Sequence, residues 1–261
     1  MRKICVINHK GGVGKTTTAI SIAAGLSREN RRVLIVDLDP QGNIHTSLSF
    51  HPKKDMFDLL FNNAEVKECI VGMGKNLDII PSRETLTKAE SLIQEKENKE
   101  YLLKQKLKTI SGYDYVIVDC PPSLGILNQN AILYADEAFI PVSTDYLGFD
   151  ALHKIREAID TINEHFMHNC TITKIIPTMF DKRNKLSKDI LAQINNSGYG
   201  LVSDPIRVCS KVKAAPKSGQ SIFKFAKSSR GAQDYARLVR HIMYDEKTEL
   251  GKNAEPSKIS A

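Results

Sequence analysis

Short apolar runs rich in valine and isoleucine recur along the chain, separated by longer segments with helical periodicity. The runs 33–36 and 116–118 are continuously apolar, which is typical of parallel strands covered on both faces. Five such runs predict strands, and two weaker runs predict two more. The predicted strands are 3–8, 32–37, 114–119, 137–142 and 171–177, with the weaker ones at 77–81 and 202–208.

Apolar positions repeat every three to four residues in the segments between these runs. In 147–166, for example, Leu152 and Ile159 fall on one face of a helix. The segment 85–110 also has a helical pattern, but 94–100 has almost no apolar residue and is expected to be exposed or broken. The predicted helices are 16–27, 85–110, 147–166, 184–196 and 229–244.

Alternating strands and helices predict the α/β class, with a doubly wound, mostly parallel sheet and helices on both faces. Ligands of such sheets bind at the carboxyl ends of the strands. A chain of 261 residues with 41% hydrophobic residues suits one globular domain, which we assign to 1–245. The polar segment 246–261 is expected to be a disordered tail.

The segment 9–17, between the first predicted strand and the first helix, reads H-K-G-G-V-G-K-T-T. Glycines at such a place let backbone N–H groups turn around a phosphate chain, and the helix adds its positive N-terminal end. Lys15 is expected to reach the β- and γ-phosphates of a nucleotide, and Thr16 to offer its hydroxyl to Mg²⁺. The predicted phosphate-binding residues are Lys10, Gly11, Gly12, Val13, Gly14, Lys15, Thr16 and Thr17.

Acidic residues stand where two of the predicted strands end. Asp37 and Asp39 follow the second strand, and Asp119 closes the strand 114–119. Mg²⁺ prefers hard oxygen ligands and usually keeps several waters, so we expect Asp119 to hold the ion through a water. One of the first two acids could instead only cap the turn at 40–42.

The string K-G-G-x-G-K-[ST] resembles the deviant Walker A motif of the ParA/Soj branch of ATPases, which partition plasmids and chromosomes. The general phosphate-loop pattern would require glycine where this chain has His9, but the tighter string is complete. Three further segments are similar to family motifs and occur in the family's order. They are VLIVDLDPQGN at 33–43, YVIVDCPPS at 115–123 and PTMFDKRNKLS at 177–187.

The resemblance implies ATP and Mg²⁺ as cofactors and assigns roles to individual residues. Lys10 would contact the nucleotide of the opposite subunit in an ATP-dependent sandwich dimer, where a side chain at Gly12 would block close approach. Asp39 would position or activate the attacking water, and would contact the metal through water. The implied catalytic residues are Lys10, Lys15 and Asp39; the implied metal residues are Thr16, Asp39 and Asp119; the implied adenine contacts are Thr178, Met179, Ile206 and Arg207.

The net charge is +7, and between 211 and 240 the only acidic residue is Asp234. Such a basic stretch favours a polyanionic partner. The resemblance implies nonspecific binding of double-stranded DNA here, and a ParB-type centromere-binding protein that stimulates hydrolysis. In 206–216 the family's second arginine is replaced by lysine and its usual acid by alanine. The predicted DNA-binding residues are Lys211, Lys213, Lys227 and Arg230, with Lys217 and Lys224 as further candidates.

Several related classes fit the sequence less well. A MinD-like division regulator needs a C-terminal amphipathic membrane helix, and 253–258 has no apolar face. No helix-turn-helix pattern precedes the first strand, so site-specific operator binding is not expected. A cytoplasmic, nucleoid-associated protein without a membrane partner is therefore expected, and a positioning ATPase for another cargo is the alternative. The five cysteines are scattered, so we expect no disulfide, no metal site formed by cysteines and no role as a metal-cluster carrier. They are Cys5, Cys69, Cys120, Cys170 and Cys209.

Overall fold

Seven strands form one sheet in the spatial order β3-β4-β2-β5-β1-β6-β7. The computed structural model describes residues 1–253, and their side chains as far as Glu246. Every neighbouring pair of strands is parallel except β3 and β4, so the predicted doubly wound, mostly parallel sheet is confirmed. The strands are β1 (Arg2–Val6), β2 (Val33–Asp37), β3 (Val71–Gly74), β4 (Leu77–Ile80), β5 (Tyr115–Asp119), β6 (Glu137–Ser143) and β7 (Thr171–Thr178).

The helices fill the connections between the strands. Three 3₁₀ segments, Glu84–Lys88, Lys99–Tyr101 and Ala215–Ser218, lie among them. The α-helices are α1 (Lys15–Arg28), α2 (Asn43–Ser47), α3 (Met56–Phe61), α4 (Val66–Cys69), α5 (Ala89–Gln94), α6 (Leu102–Lys106), α7 (Ile126–Tyr134), α8 (Tyr146–Phe166), α9 (Lys185–Asn195), α10 (Ser210–Ala214), α11 (Ile222–Phe225) and α12 (Arg230–Asn253).

Successive side chains of the central strands enter two separate cores because they point to opposite faces of the sheet. Ile4 of β1 packs in the core that contains α1 and α12, whereas Cys5 packs in the core that contains α7 and α8. Both faces are therefore covered by helices, which explains the continuous apolar runs of the central strands.

Two strand predictions differ from the structure at the sheet's edges. The segment 202–208 forms only isolated bridges, from Val202 to Ile175 and from Arg207 to Phe180, because Pro205 interrupts it and lacks the N–H that a strand would donate. The edge strand β3 was not predicted, since its sequence V-G-M-G carries two glycines and no alternation. It pairs antiparallel with β4.

Among the helices, one expected break is observed, one helix was not predicted, and one predicted helix is too short. The segment 85–110 is broken, as its polar stretch suggested, and α5 ends at Gln94. Helix α7 was missed because it is buried on nearly every side and so lacks a polar face. Helix α12 runs to Asn253 instead of ending at Tyr244, so the first part of the predicted tail, 246–253, is helical. The remaining tail residues, 254–261, lie outside the described part of the chain.

Within residues 1–253, no helix is both long and apolar enough to cross a membrane.

The turn from β6 into α8 depends on Gly148, which is buried in the first turn of that helix. A methyl group at this position would overlap the backbone oxygen of Ser143, which cannot rotate away. We expect Gly148→Ala to lower the free energy of unfolding by about 1–3 kcal/mol, as overpacking does. Urea denaturation measures the change. Gly11→Ala is the control, because a methyl group at Gly11 meets no atom within 4 Å; an equal loss in both variants would contradict the prediction.

Candidate nucleotide-binding site

The phosphate loop leaves β1 and enters α1 through a backbone that requires glycine. Gly12 and Gly14 have φ angles of 76° and 90°, a left-handed conformation that other residues rarely adopt. A Cβ atom added at Gly11, Gly12 or Gly14 would meet no heavy atom within 4 Å. The space beside these three residues is therefore open. The backbone thus forms a cradle at the N-terminus of a 14-residue helix, which suits a chain of phosphates.

Lys15 lies inside this cradle. The residue is only 6% exposed, and its Nζ donates a hydrogen bond of 3.2 Å to the backbone oxygen of Lys10. Burial lowers the pKa of Lys15, although the Asp119 carboxylate opposes the shift. A buried ammonium group held by one neutral acceptor is well placed to bind phosphate oxygens.

Lys10 lies on the outer side of the same loop. Its Nζ donates to Oδ1 of Asp145 at 2.6 Å and to Oγ of Ser143 at 3.0 Å. Its backbone N–H donates to Oδ1 of Asn8 at 3.0 Å, which fixes the start of the loop. The two loop lysines therefore point to different places, Lys15 inward and Lys10 towards the N-terminus of α8.

Asp37 and Asp119 are side by side, because they are paired residues at the carboxyl ends of the neighbouring strands β2 and β5. Both are fully buried, and neither Oδ atom of Asp119 nor Oδ2 of Asp37 has a hydrogen-bond partner among the described residues. Burial raises the pKa of Asp119 to about 7, although the Thr16 side chain opposes the rise. Burial and the Asp119 charge raise the pKa of Asp37.

Buried carboxylate oxygens without partners are costly unless a cation or ordered water satisfies them. These acids, beside Thr16 and the phosphate cradle, fit Mg²⁺ held through water. No group of three or more acidic, histidine or cysteine side chains in the described residues could hold a metal by itself.

Asp37 and Asp39 each shape the loop after β2. Oδ1 of Asp37 accepts from the backbone N–H of Asp39 at 3.0 Å, and Oδ1 of Asp39 accepts from that of Gln41 at 3.0 Å. Asp39 therefore caps the turn at 40–42, whereas Asp37 fixes the backbone of Asp39 just before it. Asp39 is 6% exposed.

A cavity of about 330 Å³ adjoins the phosphate loop and contains all four predicted adenine residues. Thr178 is tied to the loop, since its hydroxyl donates to the backbone oxygen of Val13 at 2.9 Å. Met179 turns the chain after β7 with φ 56° and is 43% exposed. The walls are Val13, Gly14, Thr17, Thr178, Met179, Ile206, Arg207, Val208, Cys209, Val212, Lys213, Pro216 and Tyr235.

Sequence reasoning missed half of this cavity, notably Val212, Pro216 and Tyr235. Tyr235 comes from α12, and its hydroxyl is 3.2 Å from Oγ1 of Thr18 in α1. Asp234, its neighbour, is fully buried and holds the Arg207 guanidinium through contacts of 2.9 and 2.7 Å. Arg207 therefore stiffens the wall rather than offering a free cation to the ligand.

The four predicted DNA-binding residues are exposed, but they do not form one cluster. Lys211 and Arg230 line a hollow of about 390 Å³, with Cys209 and Ser229 between them. Lys213 instead faces the nucleotide cavity. Lys227 lines a separate groove between α1 and α12.

Comparison with known proteins agrees with this geometry. The model of the AAA domain family matches residues 1–173. The chromosome partitioning protein ParA of Myxococcus xanthus is 33% identical over 93% of this chain and 88% of its own length. The sporulation initiation inhibitor protein Soj of Bacillus subtilis is 32% identical over 92% of this chain and 97% of its own.

Two further proteins bear on function and on fold. The cell division protein PomZ of Myxococcus xanthus is 31% identical over 93% of this chain and 78% of its own length. A crystal structure of cobyrinic acid a,c-diamide synthase from Mycobacterium smegmatis, with bound ADP and magnesium, superposes with a TM-score of 0.82 at 28% identity, covering 95% of this chain and 96% of that one. With its two-lysine phosphate loop and these relatives, the chain belongs to the ParA/Soj family of P-loop ATPases.

Proposed function

We propose that this chain is a Mg²⁺-dependent ATPase that acts as a slow switch in the partition of a plasmid or chromosome. Its ATP-bound form is a sandwich dimer that binds nucleoid DNA nonspecifically in the cytoplasm. Hydrolysis, stimulated by a ParB-type partner, releases the dimer from DNA. The observation that carries the proposal is the opposite placement of the two loop lysines, with Lys15 buried in the cradle and Lys10 on its outer side.

Within one subunit, the phosphate loop and Lys15 bind and orient the phosphates of ATP. Thr16 is the direct protein ligand of Mg²⁺, and Asp119 and Asp39 hold it through water; the ion neutralises charge on the phosphates. Asp39 orients the attacking water. The apolar walls of the adjoining cavity, including Ile206, accept the faces of the adenine ring.

Exposed apolar side chains beside the loop support the dimer. Tyr146 and Leu147, directly after Asp145, are 70% and 63% exposed. Large apolar residues exposed together around a functional loop are typical of a protein-binding surface. A second copy facing this surface would bring its own nucleotide to the outer lysine, Lys10.

The DNA surface is best supported at the hollow lined by Lys211 and Arg230. Both side chains are exposed, and neither forms a salt bridge within the described part of the chain, although the Arg230 charge contributes to the lowered pKa of Asp181. Val208 and Cys209 line both this hollow and the nucleotide cavity. Binding of ATP on one side of this segment can therefore alter the position of the cations on the other.

The test is binding to a random-sequence DNA duplex with ADP, with ATP, and with ATP plus Asp39→Ala, across a salt series. Binding that requires ATP, persists in the variant and weakens with salt supports the proposal, since phosphate contacts release counterions. Absence of DNA binding in every nucleotide state overturns it.

Replacing Arg230 or Lys211 by alanine is expected to weaken DNA binding of the ATP-bound dimer about tenfold. The slope of log affinity against log salt concentration should fall by about two, because each of the two subunits loses one phosphate contact. ATP-dependent dimerisation should not change. Lys108→Ala is the matched control. Lys108 is exposed and follows Leu107, which belongs to the core containing α7 and α8, on the face of the sheet away from α12. Equal losses in the control and in Arg230→Ala would show a general charge effect and contradict the assignment.

A positioning ATPase for a cargo other than DNA, or a division-site regulator, is the second candidate. Similarity to the cell division protein PomZ favours it. The ATPase cycle would be the same. The structure to which the dimer binds and the adaptor protein that links it to its cargo would differ. The DNA-binding series separates the two candidates.

A further inference from the structure

The signature lysine of the loop, Lys10, is held by its own chain. Its Nζ contacts Asp145 Oδ1 at 2.6 Å and Ser143 Oγ at 3.0 Å, although these residues are more than 130 positions away in sequence. The Lys10 and Asp145 side chains are 24% and 48% exposed, so the ion pair lies at the surface and can open without unfolding its surroundings.

Asp145 stays in place when Lys10 leaves, because it is also the N-cap of α8. The same Oδ1 atom accepts from the backbone N–H of Gly148 at 2.8 Å. The close packing of Gly148 against Ser143 fixes both acceptors at the end of β6. Lys10, in contrast, has four rotatable bonds and extends from a glycine-rich loop.

We propose that Asp145 is a positioning residue that retains Lys10 in the free monomer and releases it only when a partner's nucleotide competes for the ammonium group. The inference rests on the proposed ATP-dependent dimer. Asp145 thereby sets the nucleotide concentration and protein concentration at which the dimer forms, because the phosphate oxygens must displace its carboxylate.

The size of the effect follows from the two-fold symmetry of the dimer. A partly exposed ion pair typically changes an equilibrium about threefold. Two such pairs open for each dimer, so removing both is expected to lower the dimer dissociation constant about tenfold.

The variants separate charge from helix capping. Asp145→Asn and Asp145→Ser remove the charge and keep a good N-cap, whereas Asp145→Ala removes both. Dimerisation of each is measured by light scattering with a non-hydrolysable ATP analogue, and folding by thermal melting of the monomer. Asp150→Asn is the matched control, since Asp150 is on the same helix and pairs with Lys154 instead of Lys10.

Tighter dimers for both Asn and Ser variants, with the control unchanged, support the inference. If only Asp145→Ala differs from wild type, Asp145 acts through the helix cap and the inference is wrong. Weaker dimers in the Asn variant would show that the charge supports the dimer, which also overturns it.

A second readout needs no nucleotide and no dimer. Reductive methylation of the free chain, followed by mass spectrometry, reports the accessibility of the Lys10 amine. We expect Asp145→Asn to speed methylation of Lys10 about threefold and to leave Lys188, an exposed lysine of α9, unchanged. An unchanged Lys10 rate contradicts retention by Asp145. If the wild-type chain stays monomeric with the non-hydrolysable ATP analogue, the proposed dimer and the release step are both wrong. The methylation rate still decides whether Asp145 holds Lys10.

Discussion

Replacing Asp39 by alanine is expected to lower the rate of ATP hydrolysis by about two to four orders of magnitude, the usual contribution of a positioned acid–base group. ATP binding should stay within about threefold of wild type. Asp39 is 6% exposed, its Oδ1 accepts from the backbone N–H of Gln41, and its charge acts on the buried Lys15 and Asp119. A carboxylate there orients water but repels phosphate, so its loss affects the reaction more than the affinity.

Phosphate release in single turnover and equilibrium binding of a fluorescent ATP analogue measure the two effects separately. Asp189→Ala is the control, because Asp189 is exposed on α9. The outcome that contradicts the role of Asp39 is hydrolysis near the wild-type rate. A parallel loss of ATP binding would instead indicate that the loop after β2 had collapsed, since Asp39 also caps that turn.

The phosphate loop and the acid at the end of β5 could be predicted because each is determined locally. Gly12 and Gly14 adopt left-handed angles within a single turn, and Lys15 enters the helix that follows it. Asp119 ends a buried strand whose apolar run is evident from the sequence. In a parallel sheet, the carboxyl ends of the strands lie at one edge. The positions of these residues at the ends of their strands were therefore sufficient to predict that they meet.

The remaining parts of the site depend on contacts between distant segments. Tyr235 reaches the cavity only because α12 packs on α1, a contact that no local pattern reveals. Asp145 could have been found by applying the strand-end rule to β6, where Ser143 and Asp145 stand in the same position as the acids after β2 and β5.

The basic stretch shows why charge alone does not define a binding surface. Lys211 and Lys213 lie two residues apart in α10, and residues at that spacing point to different sides of a helix. Lys211 consequently shares a hollow with Arg230, whereas Lys213 borders the nucleotide cavity. A DNA surface assigned from composition must therefore be divided according to helix geometry.

Replacing Lys10 by alanine is expected to abolish ATP-dependent dimerisation and to spare nucleotide binding by the monomer. Lys15 occupies the cradle of its own subunit, while the Lys10 ammonium contacts Asp145 and Ser143 outside it. Hydrogen bonds to charged groups contribute about 1.5–3 kcal/mol each. Loss of two lysine–phosphate contacts should therefore raise the dimer dissociation constant by about 10²–10⁴-fold.

Light scattering with ATP in the Asp39→Ala background measures the dimer, and titration with a fluorescent ATP analogue measures binding to the monomer. Lys188→Ala serves as the control, because it removes an exposed lysine of α9 from outside the loop. Dimers of the Lys10 variant at wild-type concentrations would mean that Lys10 does not bridge the subunits. Loss of nucleotide binding by the monomer would instead assign Lys10 to its own subunit's phosphates, against its observed direction away from the cradle.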